Sequence, residues 1–503
     1  MKLLAQMLAD VEVMRRSGAD VDVSGIEYDS RRVRPGTLFV AMKGGATDGN
    51  RFVEQAVASG AVAIATDTAS IFDALRSAHP QLALLQVAHG RHALSELARS
   101  FYGFPDKQLG LTGVTGTNGK TTTAYLIDQI LRQQDRKTIL LGTIEYRIGD
   151  RVLASPHTTP ESSDLLALFA EGMHEGASEA VMEVSSHALD QGRVWQLAFD
   201  VAIFTNLTRD HLDYHGTLEE YLRAKQRLFD GTCSQVPRFA IVNADDAAGQ
   251  QITDAAKHAD AQVFSYGIDS GDFRASAIRM SATGTTFSMQ TPLGGVPIES
   301  RLVGRINVYN LLAAAAAAYA RGISIDGLTH AAMTLQAPPG RFQTIDAGQN
   351  FAVVVDYAHT DDALRNVTRL AREITEQNAG RVLTVFGCGG DRDTTKRPLM
   401  GKAAGEGSDV VVVTSDNPRS ENPDAIIEQI LPGLSGTSAK VIVEPDRAKA
   451  LHVALEQARA GDLVLIAGKG HEKTQTIGTQ VLPFDDAAIA ARILTELAPR
   501  RTP

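Results

Sequence analysis

Six short apolar runs, each spilling into a polar cluster, constrain the fold of this chain more than any other feature. AVME at 180–183 leads to VSSH, and VAIF at 201–204 leads to TNLTRDH. FAVVV at 351–355 leads to DYAH, and VLTVF at 382–386 to GCGGDR. VVVV at 410–413 leads to TSDNPR, and LVLI at 463–466 to AGKGHE. Runs this apolar and this rich in β-branched residues, alternating with helical patterns, predict an α/β fold of parallel sheets covered by helices. Open α/β sheets bind ligands beyond the carboxyl ends of their strands, which is where all six polar clusters fall. Helix capping explains individual polar residues here, but not six clusters.

A seventh segment carries the sharpest chemistry. GVTGTNGKTTT at 113–123 follows the apolar run 109–114 and precedes AYLIDQIL at 124–131, which has helical spacing. A strand, a glycine-bearing turn and a helix N-terminus together make a phosphate cradle, in which backbone N–H groups and the helix dipole face the anion. Gly116, Thr117, Asn118, Gly119 and Thr122 belong to the turn and the start of the helix; Lys120 can reach terminal phosphates, and Thr121 can offer a hydroxyl to Mg²⁺. Only two residues separate Gly116 from Gly119, so the segment departs from the commoner G-x-x-x-x-G-K-[ST] spacing.

At 503 residues and 44% hydrophobic, the chain can bury several cores, and about 150 residues per domain suggests three. Pro and Gly punctuate YGFPDK at 102–107 and APPGR at 337–341, giving expected pieces 1–107, 108–336 and 337–503. The alanine-rich stretch 311–320 reads as a closely packed internal helix. A net charge of −10 without a basic stripe argues against nucleic acid as a partner. Cys233 and Cys388 are too few for a disulfide framework and read as buried small hydrophobes in a reducing compartment. The first ten residues lack the apolar core of a signal peptide, and no run of eighteen apolar residues occurs. The expectation is a soluble, cytoplasmic protein with no membrane insertion.

GTNGKT at 116–121, HTTP at 157–160, MEVSSH at 182–187, DHLD at 210–213 and DYAH at 356–359 occur in the order found in the Mur ligases, which this chain resembles over nearly its whole length. The resemblance implies three α/β domains. A central phosphate-loop ATP-binding domain is flanked by an N-terminal UDP-sugar-binding domain and a C-terminal Rossmann-like amino-acid-binding domain. It also implies an ATP-dependent amide-forming enzyme of peptidoglycan precursor synthesis, acting as a monomer through an acyl phosphate. Within the family the pattern is most similar to members that add meso-2,6-diaminopimelate to UDP-N-acetylmuramoyl-L-alanyl-D-glutamate.

Residue roles follow from the same resemblance. Lys120, Glu183, His211 and Lys225 are the implied catalytic set. Thr121, Glu183, His211 and a carbamate formed from CO₂ on Lys225 are the implied Mg²⁺ ligands. Read from their own surroundings alone, Glu183 is a capping partner, His211 a core histidine and Lys225 a solvated helix lysine. Asn307, with Asn310 near it, and Arg341 and Asp356 are implied to contact ATP, with His359 beside them. The UDP-muramoyl-dipeptide is expected at Tyr28, Ser30, Gly45, Ala46, Thr47, Thr158, Thr159, Ser185, Gln191 and Arg193. Diaminopimelate is expected at Asp416, Asn417, Pro418 and Arg419, with Arg392, Gly468 and Glu472.

Arg419 and Arg392 suit the distal carboxylate that lysine lacks, which argues against a lysine-adding relative. The sugar-nucleotide segments before residue 107 argue against a folylpolyglutamate-synthetase-like enzyme. A switch or motor using ATP only to change shape would not need the amine-binding residues.

Overall fold

The computed structural model describes residues 1–44, 47–281, 284–376 and 379–497. The chain divides into two compact units, one formed by Met1–Arg274 with Leu312–Leu328 and the other by Ala275–Leu311 with Thr329–Pro503.

Besides the short pairing of Lys2–Leu3 with Asp22–Val23, the first unit is built on two larger sheets. The smaller runs in the order Val13–Ser17, Ala83–Val87, Ala63–Thr66, Thr37–Ala41, Gly25–Glu27, parallel except for its first pair. In the larger sheet, Thr138–Leu141, Glu179–Glu183, Gly110–Thr115, Val201–Phe204, Phe239–Asn243 and Gln262–Gly267 lie side by side and parallel. The antiparallel hairpin Glu145–Ile148/Arg151–Ala154 extends one edge. One apolar core joins the two sheets. The helix Gly90–Phe101 buries Ala93, Leu94, Leu97 and Ala98 at helical spacing, and these share a core with Leu165, Leu166 and Phe169 of Ser162–His174. The expected boundary near residue 107 falls inside this unit, at the turn Pro105–Lys107. There the buried Asp106 accepts from Arg99 at 2.9 Å and from the Ala198 amide at 3.1 Å.

The second unit is built on a sheet in the order Gln343–Thr344, Ala352–Asp356, Leu463–Ala467, Val382–Phe386, Val410–Val413, Lys440–Val443. All but its first strand are parallel. Alternation of side chains across the strands divides its interior in two. Val354, Leu463, Leu465, Val411 and Val413 pack with the helices Asp361–Glu376, Lys396–Gly407 and Pro423–Leu434. Val353, Val355, Val464, Ile466, Val410 and Val412 pack with Arg447–Gln457 and Asp486–Leu497. Both faces are covered, as continuous apolar strands require. The hairpin Gly284–Thr291/Gly294–Ser300 also belongs to this unit.

The six apolar runs are all strands here, and their polar clusters follow the carboxyl ends. The alanine-rich helix runs Arg305–Ala320, with residues 311–318 all buried. Both cysteines are free and buried. Among the described residues no helix is long and apolar enough to cross a membrane.

Candidate active site

The glycine-bearing turn leaves the strand Gly110–Thr115 and enters the helix Lys120–Arg132. Gly119 is its N-cap at φ +85°, and Gly116 sits at φ +146°, a conformation that L side chains rarely adopt. A Cβ on Gly116 would lie 1.8 Å from Thr205 Oγ1. The segment after the neighbouring strand braces the turn. Thr117 N and Asn118 N donate to Asn206 O and Oδ1, each at 2.9 Å, and Thr205 Oγ1 donates to Asn118 O at 2.7 Å. Lys120 Nζ lies folded onto the turn, donating to Gly116 O at 3.0 Å and Thr117 O at 2.7 Å.

Lys225 is not the solvated helix lysine that its own helix suggests. It is 1% exposed, because the helix Leu218–Gln226 turns the face bearing Tyr221, Leu222, Ala224 and Lys225 inward. Its Nζ donates to Gly116 O at 2.8 Å and lies 4.1 Å from the centre of the Tyr221 ring. Burial, with Lys120 adding repulsion and Asp210 opposing it, holds the Lys225 ammonium well below the ordinary lysine range. Burial of that kind favours the neutral amine over the ammonium.

Glu183 ends its strand beneath the loop and is 1% exposed. Its Oε1 accepts from Thr121 Oγ1 at 3.0 Å and from Thr143 N at 2.7 Å, while Oε2 accepts from Thr143 Oγ1 at 3.2 Å. It therefore receives hydrogen bonds from the loop helix instead of serving as a plain cap. Thr158 Oγ1 lies 3.0 Å from Thr143 Oγ1, and Thr159 Oγ1 donates to Glu183 O at 2.9 Å while accepting from Ser185 N at 3.1 Å. Three residues expected at the muramoyl-peptide are thus wired to the acid under the phosphate loop. Thr143 is a new member of this set; its only sequence signal was a position just past an apolar strand.

His211 is not a core histidine. Its side chain is 45% exposed, its backbone is left-handed at φ +51°, and its ring meets His187 edge-on at 4.9 Å. Asp210 Oδ2 lies 3.6 Å from His211 Nε2. Burial lowers the affinity of His187 for its proton. Among the described residues no group of three His, Cys, Asp or Glu side chains converges as a metal site.

Tyr28 donates to Asp164 at 2.8 Å, and Ser30 Oγ donates to Gln55 at 3.0 Å. Arg193 bonds Thr159 O at 2.9 Å and Gln191 Oε1 at 2.8 Å, and pairs with Glu161 at 3.1 Å. The structure thus joins Arg193 and Gln191 to Thr159, whereas Ser30 stays within the smaller sheet's surroundings. Thr47 is exposed; Gly45 and Ala46 lie outside the described residues.

In the second unit, Asp356 is buried and accepts from Phe342 N at 2.7 Å and Ala358 N at 2.8 Å. Burial raises its carboxyl pKa and nearby Arg341 opposes the rise. The Arg341 guanidinium lies 5.0 Å over the Tyr357 ring, and its buried Nε has no hydrogen-bond partner. His359 follows on the exposed side, its Nδ1 2.9 Å from Tyr357 O. Asn307 is buried, donating to Val303 O at 2.9 Å and accepting from Asn310 at 3.0 Å.

The loops after Val382–Phe386 and Val410–Val413 cross at very close range. A Cβ on Gly390 would lie 1.9 Å from Pro418 O, and Arg419, left-handed at φ +51°, donates to Gly390 O at 2.6 Å. Arg392 is exposed beside them. Asp416 is 8% exposed, and Gly468, at φ +113°, approaches it so that a Cβ there would stand 3.6 Å from Asp416 Oδ2. Asn417 Nδ2 donates to Glu472 Oε2 at 2.8 Å. Behind the cluster, fully buried Arg447 pairs with Asp486 at 2.7 Å and donates to Ser415 O and Ala467 O. Asp416, Asn417, Pro418, Arg419, Gly468 and Glu472 therefore gather at one sheet end. Arg447 had no local signal, its pairing partner lying 39 residues away.

A parallel sheet ending in a braced glycine turn, with a buried acid and a buried lysine against that turn, defines a phosphate-binding α/β protein. The models named Mur ligase family, catalytic domain; Mur ligase middle domain; and Mur ligase, glutamate ligase domain match residues 22–102, 114–318 and 340–470. A UDP-N-acetylmuramoyl-L-alanyl-D-glutamate–2,6-diaminopimelate ligase of Solibacter usitatus is 49% identical over 497 residues, 98% of each chain. A ligase of the same name from Geobacillus kaustophilus is 46% identical over 95% of this chain and 96% of its own. A solved structure of a ligase of that name superposes with TM-score 0.72 at 34% identity, covering 95% of this chain and 96% of the other. The chain belongs to the Mur ligase family.

Proposed function

We propose that the protein joins meso-2,6-diaminopimelate to UDP-N-acetylmuramoyl-L-alanyl-D-glutamate at the expense of ATP, in the cytoplasmic assembly of peptidoglycan precursors. The observation that carries this substrate reading is end-to-end similarity to relatives bearing that ligase name, with Asp416–Arg419 present in full. On this reading residues 1–107 serve the UDP-sugar, 108–336 ATP, and 337–503 the amino acid, and the enzyme acts as a monomer.

The chemistry runs in two balanced steps. A carboxylate oxygen of the acceptor attacks the γ-phosphorus of ATP, and ADP leaves, giving an acyl phosphate. The amine then attacks the acyl carbon, phosphate leaves and the nitrogen gives up a proton. Two unit negative charges 4 Å apart repel by about 4 kcal/mol at an effective dielectric of 20, so the first step needs cations. Lys120 supplies one by swinging from the loop carbonyls onto the terminal phosphates. The turn residues 116–119, with Thr122, hold phosphate oxygens, and Asn307, Arg341 and Asp356 contact the nucleotide.

The oxygen donors Thr121 and Glu183, buried and 3.0 Å apart, suit Mg²⁺. An ion held by these residues would supply charge neutralisation for the phosphoryl oxygens. His211 adds an imidazole to the set. Lys225 adds a carboxylate once its neutral amine has taken up CO₂ and lost a proton, and its burial against the loop supports that reaction. Thr158, Thr159, Ser185, Gln191 and Arg193 orient the muramoyl-peptide, with Tyr28, Ser30 and the segment 45–47 on the nucleotide. Arg419 and Arg392 take the distal carboxylate, with Asp416 and Glu472 on ammonium groups.

Product mass after incubation with ATP, Mg²⁺, the dipeptide nucleotide and equal diaminopimelate and lysine tests the reading. A diaminopimelate adduct is expected. A dominant lysine adduct would reverse the role given to Arg419, and phosphate release independent of any amino acid would point to a nucleotide switch.

A further inference from the structure

Lys469 has no part in the scheme above, yet it is completely buried in the middle of the residues assigned to the amino acid. It leaves the strand Leu463–Ala467 between two glycines in left-handed backbone, Gly468 at φ +113° and Gly470 at φ +53°. Those two turns carry its side chain under the loop 414–419. An ammonium has three donors and no acceptor, and three oxygens surround this one. Asn417 Oδ1 lies at 3.2 Å, Glu472 Oε2 at 3.1 Å and Asp416 Oδ1 at 3.6 Å.

The hydrogen bonds fix orientation as well as distance. Asn417 Oδ1 accepts from Lys469 and, at 3.0 Å, from Thr476 N, so its amide nitrogen must face Glu472. Glu472 Oε2 is occupied by both Asn417 and Lys469. Two carboxylates face this one ammonium, buried Asp416 and Glu472, whose side chain is 33% exposed. Burial raises the Asp416 pKa, and Arg447 behind it, paired with Asp486 through two hydrogen bonds, still favours the ionised form. Asp416 Oδ1 is buried and has no hydrogen-bond partner. The cluster is thus short of one donor, at Asp416 Oδ1.

We infer that Lys469 is a positioning residue that locks Asn417 and Glu472 in place beside Asp416 Oδ1, the oxygen left without a donor, so that the three can receive the non-reacting ammonium of the amino-acid substrate. The inference rests on the amino-acid site proposed above. It makes the site select a zwitterionic end group, with ammonium at Asp416 and carboxylate at the arginines. Amino acids whose side chain ends in a carboxylate alone, or in an apolar group, leave Asp416 Oδ1 without a donor.

The test is steady-state kinetics of Lys469→Met and Lys469→Gln in the full-length enzyme. The Gln variant keeps a donor without the charge and maintains the test if the Met variant misfolds. The KM for diaminopimelate should rise about 10- to 100-fold, the size of one charge-assisted hydrogen bond, while those for ATP and the dipeptide nucleotide stay within about twofold. Removing the cation also disfavours the ionised form of Asp416, so the acid limb of kcat/KM for diaminopimelate should move to higher pH in both variants. An unmoved acid limb with an unchanged diaminopimelate KM overturns the inference, as does an equal rise in all three KM values. Wild-type enzyme that makes no diaminopimelate adduct overturns the substrate reading itself. An active wild type with indifferent variants overturns only the role of Lys469.

Discussion

Replacing Lys225 by Met separates a lysine kept for chemistry from one kept for packing. In the folded protein its Nζ makes one hydrogen bond, to Gly116 O at 2.8 Å, and faces the Tyr221 ring at 4.1 Å. Methionine fills similar volume, and Gly116 O retains Lys120 as a donor at 3.0 Å, so no acceptor is orphaned. The loss is therefore one hydrogen bond of about 1 kcal/mol, offset by relief of a buried amine. A change of that size moves Tm by about 2–4 °C in a domain of 150–250 residues. Ligase activity should meanwhile fall by three orders of magnitude or more, on the scale of losing a group that acts at the transition state, about 4 kcal/mol.

The pH dependence carries its own sign. The folded-state pKa of Lys225 lies below the unfolded value near 10.4, so between the two the unfolded chain binds the extra proton. Wild-type stability then rises with pH through that window, relative to the Met variant, which has nothing to titrate there. Thermal unfolding of both proteins in CO₂-free buffer from pH 7 to about 9.5 reads the difference directly. A Tm loss beyond about 10 °C, a pH-independent difference or an active Met variant would each refute the reasoning.

Two further outcomes follow from backbone and ring geometry. Gly116→Ala forces a Cβ to within 1.8 Å of Thr205 Oγ1, which is itself tied to Asn118 O, so ADP affinity measured by calorimetry should fall about 100-fold with the fold retained. His92 stacks on Trp195, the single tryptophan, at 3.5 Å, and burial with repulsion from His89 and Arg227 lowers its pKa to about 4. Trp195 fluorescence should titrate near pH 4. His92→Phe should abolish that titration and the part of the stability lost as pH falls from about 6.5 towards 4, where the unfolded chain takes the proton first.

What could be read from the sequence divides along a physical line. The strands Glu179–Glu183, Val201–Phe204 and Val410–Val413 were legible because burial on both faces leaves an unbroken apolar run, a local signature. The phosphate turn was legible because φ +146° at Gly116 and φ +85° at Gly119 demand glycine at those positions. The burial of Lys225 was not, since its helix has the composition of a solvated one; its role came from the resemblance alone. Lys469, Thr143 and Arg447 were not legible either. Each is defined by partners 39 or more residues away or by a turn that sequence spacing does not encode.

Buried polar groups are costly unless paired. A lysine or acid that ends inside therefore marks a place where several separated segments were selected together. In this chain such places include the phosphate turn with Glu183 and Lys225, the strand ends around Asp416 and Lys469, and the Arg99–Asp106 pair beneath Ala198. The first two are the clusters to which the reaction is assigned, so there the hidden tertiary information and the proposed chemistry coincide.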